Sequence, residues 1–425
     1  MPGIDTGDTA WMIVASALVL LMTPALGLFY TGFVRSKNAL NTFMMSLAAL
    51  GVATVVWALL GYSLAFDEGN NFIGGLHNAF LHDVGFLARE GQTIPELLFF
   101  VFQATFVIVT AALISGAVVE RMRFGAFLTF MVLWILAVYS VLAHWVWGGG
   151  WLADKGVLDF AGGVPVEMAS GFSAFAAAWV VGARKDFGRR AYLPHNALYI
   201  LIGAGLLWFG WIGFNGGSGF SVGNAGILAV ANTLLAPACT LVTWFILDFV
   251  RGRKVTAVGA ATAIIVGCVG ITPAAGYISP TWAMGLGVIA AIPSYLVIVW
   301  RARTRLDETL DVLGAHGIAG LTGILFIGFA AQEPWNGIAD GLFYGNASLL
   351  GWQAVAALVA PAYAFTVTFV LLKLIGRVMP LRVSTDEEAI GLDIVEHGEE
   401  AYSSGEGAIL MIDHEFLSEQ PERVS

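Results

Sequence analysis

Few side chains in this 425-residue chain could do chemistry, and most of those lie inside or at the edges of long apolar runs. Glu167 and His316 sit well within two such runs. A charged group in hydrocarbon is costly enough to be a functional candidate by default. A carboxyl beside an imidazole can share a proton and pass one along. The plainer alternative is a buried hydrogen-bonded pair that locks two helices together. Asp159 and Asp311 stand at the starts of the same two runs. A carboxylate there can cap free backbone N–H groups or meet a substrate. Asp248 lies beside a basic loop, and His144 reads as a satisfied helix-end histidine rather than a ligand.

Aromatic residues form a second constellation. Phe102 and Phe106 are one helical turn apart, Trp147 precedes three glycines, and Trp211 and Phe214 are followed by Asn215 and Ser218. Rings at such places are usually interface anchors or packing. The sharper reading is an outer vestibule whose ring faces attract a small cation, above a phenylalanine constriction that keeps water out. Spacing leaves both open.

The elements that must position these residues are membrane spans. Hydrophobic residues make up 58% of the chain and charged residues 12%, about half the charged share of a soluble domain. Mean hydropathy is +0.80. A soluble enzyme, a nucleic-acid binder and a disordered scaffold all fit poorly. No nucleophile–base motif, phosphate loop or metal cluster points to catalysis, so neither an enzyme nor a cofactor is expected. Cys239 and Cys268 both sit in apolar stretches and suggest no disulfide framework. The N-terminal MPGIDTGDTA lacks the basic region of a cleaved signal.

A spanning helix needs about 20 mostly apolar residues. Eleven runs qualify, near 10–33, 39–66, 96–119, 125–147, 162–183, 196–216, 226–250, 256–275, 281–300, 312–331 and 351–375. Of the 20 Lys and Arg, 17 fall in alternate loops on one side; only Arg89 and Lys155 fall opposite, and Arg423 is in the tail. The positive-inside rule therefore predicts an outside N-terminus and an inside C-terminus. The expected fold is an all-α integral membrane protein of eleven transmembrane helices, an inverted 5+5 repeat plus one extra helix. One local match supports the repeat: Glu167-Met-Ala-Ser-Gly-Phe against His316-Gly-Ile-Ala-Gly-Leu. Residues 1–381 form the membrane domain in this reading, and acidic residues 382–425 a cytosolic regulatory tail. Composition alone favours a solvated, partly disordered terminus there.

These residues, in this order, resemble the ammonium transporter family (Amt/Mep, with the Rhesus proteins as distant relatives). The motifs are ALGLFYTG at 25–32, ERMRF at 120–124, HWVWGGG at 144–150, LDFAGG at 158–163, GWIGFNGGS at 210–218, ITPAAGYI at 271–278, DVLGAHGIAG at 311–320 and GLDIVEHGEEAY at 391–402. The resemblance implies a homotrimer in the plasma membrane, with one narrow pore per subunit. It implies an outer ammonium site at Trp147, Ser218, Phe106 and Phe214, the two phenylalanines also being the gate. It gives Asp159 a structural and electrostatic part near that site, and makes Phe102, Trp211 and Thr272 pore-region positions. Most members carry histidine at both positions of a mid-pore pair; here the first is Glu167 and the second His316, as in certain fungal members. Ammonium would lose its proton, ammonia would cross the apolar pore, and the pair would relay the proton. Rival readings are an electroneutral ammonia gas channel and a sensor that binds ammonium without passing it. The tail motif resembles the segment through which the family contacts PII-type signalling proteins.

Overall fold

The computed structural model describes residues 3–189 and 192–402. Among them, eleven helices are long and apolar enough to cross a membrane: α1 Thr6–Phe33, α2 Ser36–Phe66, α3 Glu96–Ser115, α4 Phe124–Asp154, α5 Gly163–Val181, α6 Ala197–Gly217, α7 Asn224–Val250, α8 Ala257–Ala274, α9 Pro280–Arg301, α10 Leu313–Ala330 and α11 Ala347–Val378. The described residues form no strands beyond isolated bridges. The all-α reading with eleven spans therefore holds.

The run at 96–119 overshoots its helix. α3 ends at Ser115 and a stretch of turns follows, in which Glu120, at a left-handed φ of 69°, and Arg121 are buried in the protein. α11 outruns the last apolar run, reaching from Ala347 to Val378 with Pro361 inside it.

Helices packed in lipid gain little from apolar burial, so close backbone approach must hold them. The glycines of α6 serve that purpose. A Cβ at Gly203 would press on the backbone of Phe29, and one at Gly213 on Leu18 and the Ala15 carbonyl. This brings α1 and α6, the first helices of the two halves, into extensive contact. The fifth helices of the halves meet likewise. A Cβ at Gly171 of α5 would collide with the Gly317 backbone of α10. Both α5 and α10 open with a π turn, Gly163–Met168 and Leu313–Ile318. Helix α11 packs against α5 and α10. Its buried Gln353 accepts from Leu158 N at 2.9 Å and donates to the carbonyls of Leu158 at 2.8 Å and Ile324 at 3.1 Å.

A buried ionic cluster ties the loops of the Lys/Arg-rich face. Arg184 grips Asp307 with Nε and Nη2, each at 2.8 Å, and also pairs with Glu120. Arg35 Nε donates to Glu120 at 2.8 Å. Burial pushes the Glu120 carboxyl up, but Arg184 and Arg35 outweigh it and hold the group below its usual range. Asp307 behaves the same way, its burial outweighed by Arg184 and Arg121.

The tail through Tyr402 is not a solvated terminus, and this corrects the compositional reading. Two short helices, α12 Thr385–Ile390 and α13 Leu392–His397, dock on the basic face. Ser384 and Glu387 form a reciprocal cap at the start of α12. Buried Asp393 accepts the N–H groups of Leu40 at 3.0 Å and Asn41 at 2.8 Å. Glu388 accepts from Arg382 at 2.7 Å and from Lys185 N at 2.9 Å. Composition records the acidity of this segment but not the basic loops and open helix start that receive it. Residues 403–425, the rest of the expected regulatory tail, lie outside the described residues.

Candidate functional site

The segment ahead of α5 builds one end of the site. Asp159 caps the π turn: Oδ1 accepts Gly162 N at 2.9 Å and Gly163 N at 2.7 Å, and Oδ2 accepts Val164 N at 2.7 Å. Gly162 reaches this turn with φ 114°, a left-handed conformation that glycine adopts without steric cost. The Asp159 carbonyl accepts the indole N–H of Trp147 at 2.9 Å. One residue thus fixes both the start of α5 and the ring above it.

The second half repeats the device with a different residue. Asp311, which the sequence leaves open as a cap of α10 or a substrate contact, does not cap it. Glu308 accepts Val312 N at 2.5 Å and Leu313 N at 3.3 Å, while Asp311 sits at φ 58° and takes a hydrogen bond from Arg301 Nε at 2.6 Å. Glu167 and His316 are 149 residues apart, and the same interval separates Asp159 from Glu308 and Gly162 from Asp311. Asp311 therefore occupies the turn position that Gly162 fills. Carried upstream of the Glu167/His316 match, that interval points to Glu308 in the sequence itself.

On the face opposite the basic loops, a cavity is lined by Trp147, Asp159, Ser218, Phe106, Phe220 and Tyr277, among others. Ser218 Oγ donates to the Phe214 carbonyl at 2.9 Å, leaving its lone pairs to accept. Beneath, the Phe106 and Phe214 rings stack with centroids 4.0 Å apart and 23° between planes. Trp147 meets Phe106 edge-on at 6.2 Å, and Phe102 lies 4.8 Å from Phe106. Trp211 donates to Thr272 Oγ1 at 2.8 Å, which donates in turn to the Cys268 carbonyl at 2.8 Å. The outer residues singled out in the sequence thus surround one cavity and the ring pair at its floor.

Two lining residues escaped the sequence reading. Gln103 is buried, and its Oε1 has no partner among the described residues. A lone amide between Phe102 and Phe106 was the available signal. Arg89 lies over the Phe99 ring at 4.1 Å and the Phe66 ring at 5.1 Å, placing a fixed cation in the same cavity.

Past the stacked rings, a narrow lumen is walled by Met22, Leu26, Val109, Leu207, Trp211 and Ile265, with Glu167 and His316 supplying the titratable groups. His316 Nδ1 stands 2.8 Å from Glu167 Oε2. Among the described residues, Glu167 Oε1 is buried without a hydrogen-bond partner. A Cβ at Gly320 would strike the Glu167 side chain, so that glycine leaves room for the pair. His316 also lines a further cavity at the basic face with Asp248, Tyr295 and Asp311. It therefore stands between the two spaces. His144 takes no part; both its ring nitrogens face backbone carbonyls, of Ala65 at 3.0 Å and Asn70 at 2.8 Å.

Comparison with known proteins agrees with this architecture. Residues 10–402 match the sequence model of the Ammonium Transporter Family. An ammonium transporter of Bacillus subtilis is 45% identical over 402 residues, covering 94% of this chain and 99% of that protein. Ammonium transporter Amt1 of Archaeoglobus fulgidus is 41% identical, covering 94% and 100%. The crystal structure of Candida albicans Mep2 superimposes with a TM-score of 0.86 at 37% identity, covering 90% of this chain and 88% of that one.

Proposed function

The chain belongs to the ammonium transporter family, and from that premise we propose how this ammonium transporter moves its substrate. It is a multi-pass membrane protein, which we place in the plasma membrane with the N-terminus outside and the basic face in the cytoplasm. The distribution of Lys and Arg supports that orientation. The aromatic cavity then opens outward.

Ammonium docks at Trp147 and Ser218, above Phe106 and Phe214. A desolvated cation over an indole face gains about 2 kcal/mol. That is far too little to carry an intact ion through an apolar lumen, where burying an isolated ammonium costs tens of kcal/mol. Potassium faces the same cost and has no remedy. Ammonium has one: an N–H bond breaks, neutral ammonia crosses past Phe106 and Phe214, and the proton moves separately. Glu167 takes it up, passes it from Oε2 to His316 Nδ1, and His316 releases it toward the basic face. The observation that carries this reading is the 2.8 Å Glu167–His316 contact in an apolar lumen. Protein reconstituted on a supported membrane is expected to give a current on an ammonium concentration jump. Silence in that assay, with ammonia uptake intact, would instead indicate an electroneutral gas channel.

Asp159 supplies a negative charge to the docking site. Burial lifts its carboxyl to about 6, against three backbone N–H bonds that pull it down. The folded pKa lies above the unfolded value of about 3.9. Ionising Asp159 therefore costs stability as pH rises through that window, and the charge is present only above it. The half-saturating ammonium concentration is expected to rise as outside pH falls through about 6. In Asp159→Asn it should be high at every pH. Current titrations between pH 5 and 7.5 distinguish the two profiles.

Residues 1–381 form the transport domain and residues 382–425 a regulatory tail in this reading. The protein assembles as a homotrimer and binds a PII-type protein at its basic face. The docked tail motif at 391–402 supports the latter. A pull-down with purified PII protein tests it: association in at least one nucleotide state is expected, and none in any state argues against it.

A further inference from the structure

The loop joining α2 to α3, on the face opposite the basic loops, carries a cluster that the transport pathway described above does not use. We propose that His77, His82 and Asp83 form a binding site for a divalent transition-metal ion, with zinc as the best match to the ligand set. The nitrogens of both histidines converge on one carboxylate oxygen. His77 Nε2 is 3.5 Å and His82 Nδ1 3.3 Å from Asp83 Oδ2. All three ligand atoms lie within 4.8 Å of one another.

These separations fit the edges of a metal site better than a hydrogen-bonded ion pair. A charge-assisted N–H···O bond closes to about 2.7–2.9 Å, and neither contact does. Ligands bonded to zinc at about 2.0–2.2 Å in a tetrahedral array stand about 3.3–3.5 Å from each other. Both nitrogen–oxygen edges have that length. The rings meet edge-to-face at 86° with centroids 5.3 Å apart, and both are exposed. Two imidazoles and one carboxylate suit zinc, copper or nickel rather than calcium or magnesium, which prefer all-oxygen shells.

The surrounding chain holds the three residues together. Asp67, itself buried, accepts the His77 backbone N–H at 2.5 Å. His77 Nδ1 faces Asn78 Oδ1 at 3.4 Å, while Nε2 of the same ring faces Asp83. Phe80, Leu81 and Asp83 all adopt left-handed φ, at 59°, 60° and 57°. That tight turn folds Asp83 back against His77. Three protein ligands leave a fourth position open to water or another small donor.

The test uses the full-length, tag-free protein in detergent, titrated calorimetrically with zinc ion. One saturable ion per chain is expected, lost in His77→Ala/His82→Ala and retained in Glu90→Gln, which removes another carboxylate from the same loop. Zinc-edge X-ray absorption should show nitrogen and oxygen neighbours at about 2.0 Å with imidazole scattering. Ammonium-evoked current of the double variant should match the wild type, confirming that it folds. The proposal is overturned if no saturable phase exists, if the phase survives the double substitution, or if imidazole scattering is missing, each meaning an adventitious ion only.

Discussion

Glu167→Ala is expected to reduce the ammonium-evoked current at least about a hundredfold, the lower end of what a positioned proton-transfer group contributes. The reason is the isolation of the pair. His316 Nδ1 has Glu167 Oε2 at 2.8 Å as its partner, and the rest of the lumen wall is apolar. Once the carboxyl is gone, a proton that passes the ring pair finds no carboxylate to receive it ahead of His316. It then carries the desolvation cost of a bare charge. Glu167→Gln keeps the volume but cannot titrate, so it should lose current as alanine does. Glu167→His restores a titratable group and rebuilds the histidine pair implied for most family members, so current should return. His316→Ala should fail like Glu167→Ala. Full current in Glu167→Ala sinks the relay, provided the purified variant retains the thermal stability of the wild type.

The second large effect concerns stability. Arg184→Ala leaves Glu120 and Asp307 buried with their main counter-charge removed, a change expected to cost about 3–5 kcal/mol. The geometry argues for the upper part of that range. Arg184 holds Asp307 through two side-chain bonds at 2.8 Å and also pairs with Glu120, and all of these vanish with the side chain. Both carboxyls sit below their usual range in the folded protein. Groups shifted that way add stability above their unfolded pKa values and lose it as pH falls through the folded ones. Acidification below about pH 4.5 should therefore lower the wild-type melting temperature steeply and that of Arg184→Ala only slightly. Melting curves in detergent, followed by tryptophan fluorescence at several pH values, check both statements. An unchanged melting temperature at neutral pH overturns the account.

Much of this protein is a matter of averages along the chain. Membrane insertion depends on hydropathy summed over about 20 residues, and topology on where Lys and Arg fall between spans. Both are local properties. The all-α architecture, the number of spans and the family were therefore legible without coordinates, because neither span polarity nor the long motifs depend on contacts. Asp159 as a cap was a stated possibility for the same reason, since a carboxylate a few residues ahead of a helix has few other local uses.

Contacts between distant segments were not legible. Glu167 meets His316 across 149 residues only because Gly171, Gly317 and Gly320 let α5 and α10 approach until side chains must interlock. The rotation of each helix about its axis decides which residue faces the lumen, and a π turn shifts that rotation by part of a turn. Hydropathy does not register such a shift. The exchange of Asp311 for Glu308 as the cap of α10 arose there, as did the buried amide of Gln103. Likewise, acidity in residues 382–402 reads as solubility until Arg123, Lys185 and the open start of α2 are placed opposite it. Composition says what a segment carries; packing geometry says what receives it.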